Sequence, residues 1–130
     1  MKKNVILLLV GLVVASMLIA ACGSRSSATS NFPTGKFTLP GKDMEGLYFD
    51  TDGTWYAFSY GMHPAEGTYS VKGNVYTEET NDAGCATPMK FHYTFDGTNL
   101  TFTYVDDPAK DADCMGRQDG FNNVSYVLSK

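Results

Sequence analysis

Between Thr34 and Leu128, apolar residues recur at every second position and turn-forming residues recur about every 8 to 12. This double rhythm specifies β-strands joined by tight turns. The alternation is cleanest late in the chain. Met89, Phe91, Tyr93 and Phe95 fall on one face, with Lys90, His92 and Thr94 on the other. Leu100, Phe102 and Tyr104 oppose Thr101, Thr103 and Val105, and Val124, Tyr126 and Leu128 oppose Ser125 and Val127. Each strand is therefore expected to bury one face and wet the other. The spacing predicts strands over Gly35–Leu39, Gly46–Asp50, Thr54–Tyr60, Glu66–Val71, Asn74–Thr80, Met89–Phe95, Asn99–Val105 and Asn122–Leu128. Asp52-Gly53, Lys72-Gly73-Asn74 and Asp96-Gly97-Thr98-Asn99 read as hairpin turns, because glycine and asparagine accept positive φ. No segment beyond residue 21 carries a helical period.

Short connections between successive strands favour up-and-down antiparallel order. Eight such strands close into a barrel, which removes exposed edges. The expected fold class is all-β: one domain over residues 34–130, a single antiparallel up-and-down barrel of about eight strands.

The start of the chain has a different character. Lys2 and Lys3 precede an almost continuously apolar run from Val5 to Ala21, the layout of a secretory leader. At about 17 residues it lies at the lower limit for a membrane-spanning helix, so length alone leaves a retained anchor open. The end of the run is more specific. Ile19-Ala20-Ala21-Cys22 resembles the lipobox of bacterial lipoproteins, in which a branched apolar residue and two small residues precede a cysteine. The resemblance implies lipid transfer to the Cys22 thiol and removal of residues 1–21 as a signal peptide. The product is a lipoprotein anchored in the cell membrane or outer membrane, facing the periplasm or the cell exterior. Two or three acyl chains hold far more firmly than one. Residues 22–33 are mostly small and polar and are expected to form a lipidated flexible tether.

Charge and cysteines narrow the partners. The whole chain carries 10 basic and 14 acidic residues, a net charge of −4; losing Lys2 and Lys3 leaves 8 against 14, or −6. Nucleic acid is therefore excluded as an expected partner, since phosphate backbones draw on Lys/Arg clusters. With Cys22 committed to lipid, Cys85 and Cys114 remain, and outside the cytoplasm they are expected to form one disulfide. It closes a loop of roughly 30 residues and contributes about 3 kcal/mol on the loop-entropy argument. A metal pair and a redox couple are the alternatives; neither CxxC spacing nor a histidine cluster accompanies them.

Three runs carry a resemblance for the domain itself. Asp52-Gly53-Thr54-Trp55, Glu66-Gly67-Thr68-Tyr69-Ser70-Val71, and Thr94-Phe95-Asp96-Gly97-Thr98-Asn99-Leu100-Thr101-Phe102 resemble the recurring turn-and-strand motifs of small bacterial lipocalin-like (calycin-type) domains. Asp106 and Asp107, Cys114, Gly116 and Arg117 near the end are similar to theirs as well. The resemblance covers most of Thr34–Leu128 and implies a lipocalin-like barrel.

Two arrangements suit the aromatic set Phe49, Tyr56, Phe58, Tyr69, Phe91, Tyr93, Phe95, Phe102, Tyr104 and Tyr126. Facing inward, these residues line a pocket for an apolar ligand, or they fill a small barrel completely. The acidic stretch from Asp106 to Gly120 matches no calcium-loop spacing and is expected to be a solvated loop stapled by Cys114. If that staple forms, Arg117 is placed to pair with Glu78 or Glu79. His63 and His92 have no converging ligands in the spacing, and no nucleophile triad, phosphate cradle or HExxH motif is present. The expectation is a non-enzymatic binding module without metal or cofactor. It takes a small, partly apolar ligand at the open barrel end, with Trp55, Tyr56, Tyr60 and Tyr104 near the rim. The alternative is a structural or inhibitory interaction protein that works through its loops. A void of roughly 300 Å³ or more favours the first.

Overall fold

The computed structural model describes residues 31–80, 88–106 and 115–130. The expected leader, Cys22, most of the expected tether, Cys85, Cys114 and the acidic-loop residues Asp107, Asp111 and Asp113 lie outside the described residues. Eight strands follow in order: β1 (Gly35–Leu39), β2 (Lys42–Phe49), β3 (Thr54–Ser59), β4 (Met62–Lys72), β5 (Val75–Thr80), β6 (Met89–Phe95), β7 (Asn99–Tyr104) and β8 (Ser125–Leu128). Each pairs antiparallel with the next, and β8 returns to β1 to close the barrel. The fold is the all-β, eight-stranded up-and-down barrel that the two-residue alternation specified.

The turns do what their residues allow. Tyr60 and Gly61 join β3 to β4 with φ of 48° and 82°, the two positive values of a type I′ hairpin turn. Asp96 holds the β6–β7 turn by accepting from the backbone N–H groups of Thr98 (2.9 Å) and Asn99 (2.7 Å). Asp52 likewise accepts from the Thr54 N–H at 2.9 Å and its hydroxyl at 2.6 Å. These bonds favour the charged form and hold both carboxyls below the usual carboxylate range. At Gly46 and Gly67 the sheet passes so close to itself that an added Cβ would lie 1.9 Å from the Phe37 carbonyl oxygen and 1.7 Å from that of Glu79.

Several local features differ from the expectation. A short helix, α1 (Met115–Phe121), stands where an irregular loop was expected. It displaces the start of β8 from Asn122 to Ser125. Strands β2 and β4 begin at Lys42 and Met62 rather than at Gly46 and Glu66. In β3 the inward residues are Trp55 and Ala57, and Tyr56 and Phe58 point outward. The register explains the last point: Trp55 pairs directly with the inward Phe49, so its neighbours must face the other way. Finally, Phe32, placed by the sequence in the tether, is 8% exposed and belongs to the core, so the folded body extends past the expected boundary at residue 34.

Candidate functional site

The two ends of the barrel are built differently. At one end Phe32 is inserted among Phe49, Tyr69, Tyr76, Tyr93 and Phe102, with ring centroids 4.9 to 6.4 Å away. At the other end a cleft of about 400 Å³ opens between β2–β4 and α1. Its walls are mainly apolar: Leu47, Trp55, Ala57, Ala65 and Phe121, with Tyr126 beside them. Arg117, Thr80, Ser59 and Glu45 supply the polar contacts. The Glu45 carboxylate also meets the Lys42 ammonium at 3.3 Å.

Helix α1 forms one wall of this cleft. Arg117 and Phe121 are four residues apart, so they share one helical face, and both are buried against the barrel. Phe121 packs edge-on against Trp55 at 5.3 Å and stacks on Tyr76 at 5.8 Å. Below the helix, Asn122 accepts from the Tyr104 N–H at 2.9 Å, and Asn123, with a φ of 59°, donates to the Phe102 carbonyl at 2.8 Å. The Tyr126 hydroxyl donates to the Gly120 carbonyl. Burial raises the Tyr126 pKa, so this donor keeps its proton throughout the neutral range.

The buried polar centre is an ion pair. Arg117 Nη1 lies 2.7 Å from Glu78 Oε1, and the two side chains are 4% and 0% exposed. Strand β5 turns Tyr76 and Glu78 inward and leaves Glu79 exposed, so the structure selects Glu78 as the partner of Arg117. Burial pushes the Glu78 carboxyl up to about 7, against the opposing pull of Arg117. The Trp55 indole N–H and the Tyr76 hydroxyl are also buried and have no hydrogen-bond partner among the described residues.

Of the four residues expected at a ligand-binding rim, the structure brings only Trp55 into the cleft. Tyr56 lies on the outer surface, stacked between Tyr48 at 5.1 Å and His63 at 4.2 Å. Tyr60 sits at the tip of the β3–β4 hairpin, 69% exposed. Tyr104 is buried against Phe91 at 5.3 Å and does not line the cleft. Sequence reasoning missed Leu47, Ala57, Ala65 and Phe121 as lining residues. The β2 alternation carried a signal for Leu47, while Phe121 depends on a helix that the sequence did not announce. Among the described residues, no three His, Cys, Asp or Glu side chains are grouped as they would be to hold a metal, and no helix is long and apolar enough to cross a membrane. No family model matches the chain, and neither does any curated protein or solved structure with which it was compared.

Proposed function

We propose that this chain is an extracytoplasmic lipoprotein, anchored through lipid on Cys22, whose lipocalin-like barrel binds a small, partly apolar ligand without transforming it. The observation that carries this reading is the cleft of about 400 Å³, within the range of small-molecule sites. Its aromatic and aliphatic walls suit an apolar body, while Arg117, Thr80 and Ser59 suit a few polar atoms that fix orientation. The anchor rests on the lipobox resemblance and the polar tether that follows it.

Native mass spectrometry of the full chain, purified in detergent from its own host, tests the reading. A retained small molecule is expected. It should be lost when Ala57→Trp fills the cleft in a chain that still unfolds cooperatively. A chain that carries nothing, and is stabilised by no compound in a thermal-shift screen of amphipathic molecules, overturns it.

One observation favours a second reading, a structural or inhibitory protein acting through its loops. Met44, Tyr60 and Met62 are 55%, 69% and 64% exposed on the hairpins beside the cleft, and the Tyr60 N–H donates to the Met44 carbonyl at 3.0 Å. Exposed apolar side chains grouped in this way suit a protein partner. Under this reading, replacing Met44 and Met62 by serine abolishes partner capture, whereas Ala57→Trp does not.

A further inference from the structure

We propose that the end of the barrel opposite the cleft is a second binding site, selective for a single aromatic ring, which the chain fills with its own Phe32. Phe32 belongs to no strand, so no ladder hydrogen bonds dictate its position. Its surroundings are nevertheless those of a bound guest. Phe49 and Tyr93 meet it edge-on at 5.1 and 4.9 Å, Tyr76 stacks on it at 5.3 Å, and Tyr69 lies tilted at 5.3 Å. Edge-to-face and stacked contacts together match the charge distribution of an aromatic ring, and a saturated ring of equal bulk lacks it.

The host walls belong to the barrel itself. Phe49, Tyr69, Tyr76 and Tyr93 are carried by four different strands of the closed barrel. Two of them are also tied to loops by their hydroxyls: Tyr69 donates to the Asp50 carbonyl at 2.6 Å and Tyr93 to that of Gly73 at 3.3 Å. The box is therefore formed by the barrel, and the segment before β1 delivers its occupant. Tyr76 stacks on Phe32 and on Phe121, and Phe121 packs against Trp55, so a column of rings runs the length of the interior.

The test uses the full chain in detergent, with Phe32→Ala and, as a milder variant, Phe32→Val. The probe is benzyl alcohol, with cyclohexylmethanol as its saturated counterpart. Both variants should show a saturable rise in melting temperature with benzyl alcohol, or fold only in its presence, and the parent chain should not respond over the same concentrations. Benzyl alcohol should bind roughly threefold or more tightly than cyclohexylmethanol. Trp55, the single tryptophan, should report occupancy through a shift of its emission. Adding Ala57→Trp, the substitution that fills the cleft, should leave the melting response intact in a chain that still unfolds cooperatively. The proposal is overturned by variants that neither respond to benzyl alcohol nor are rescued by it, by an equal response of the parent chain, by equal binding of the saturated ring, or by loss of the response with Ala57→Trp in a chain that still unfolds cooperatively. A cleft that retains its ligand while these outcomes appear would separate failure of this site from failure of the cleft reading.

Discussion

Arg117 on α1 and Glu78 on β5 meet at 2.7 Å, and this contact ties the helix to the inner wall of the barrel. Its energetics are asymmetric. Burial disfavours the Glu78 charge more than Arg117 favours it, which is why the carboxyl moves up to about 7 rather than down.

That shift predicts a pH dependence with a definite sign. In the unfolded chain Glu78 titrates near its model value of 4.5, and in the folded chain near 7. Between those values the folded state holds the extra proton. The contribution of this site is complete below the lower value and is lost as pH rises through the upper one, amounting to about 1–3 kcal/mol. Urea midpoints taken across this window should fall with rising pH in the parent chain, and Glu78→Gln should flatten that component.

Breaking the pair from one side should cost more than removing both partners. Glu78→Leu leaves a buried guanidinium without its counter-charge and should destabilise by about 3–5 kcal/mol. The double variant Glu78→Leu with Arg117→Met should recover most of that loss. Chemical denaturation of the two single variants and the double variant measures the coupling directly.

The β3–β4 turn holds Tyr60 at a φ of 48°, where a side chain is strained. Tyr60→Asn places the favoured Asn-Gly pair in a type I′ turn and should stabilise by about 0.5–1 kcal/mol. Because Tyr60 stands outside the cleft, ligand retention should be unchanged, which thermal shift and mass spectrometry can check on one sample.

Glycines in this barrel differ in their tolerance of a methyl group. Gly46→Ala and Gly67→Ala each drive a Cβ into a carbonyl oxygen of the neighbouring strand and should cost more than about 3 kcal/mol or prevent folding. Gly120→Ala, inside α1 with open space around it, should be neutral or stabilise by up to about 1 kcal/mol. Thermal melts of the three variants rank them.

The boundary of the folded body is equally measurable. Phe32→Ala removes a core ring and should destabilise by about 3–5 kcal/mol. Asn31→Ala, on an exposed residue, should stay within about 0.5 kcal/mol.

The strands were legible because each has its own two-residue signal: Met89 to Phe95 and Leu100 to Tyr104 can be assigned without knowing what they pack against. The facing of β3 was not. Thr54-Trp55-Tyr56-Ala57-Phe58 offers large apolar residues at both parities, and only pairing with Phe49 decides that Trp55 goes inside. Helix α1 was hidden for another reason: seven residues with Gly116 and Gly120 carry no apolar period, and the barrel supplies its stability through Phe121 and Arg117. The pairing of Arg117 with a neighbouring glutamate was anticipated, and strand parity chose Glu78. Phe32 looked like tether because its local surroundings in sequence are small and polar; its partners are strands far along the chain.

The polypeptide comes into the barrel at the pole that Phe32 blocks, and the mouth beneath α1 opens at the far pole. On the lipid anchor proposed at Cys22, the pull falls on the blind pole and the mouth faces outward. Nine residues lie between Cys22 and Phe32, so on that proposal the standoff is at most about 35 Å. Under the same proposal, lengthening or shortening that segment should alter how far from its base the barrel can fish, without altering what it can hold.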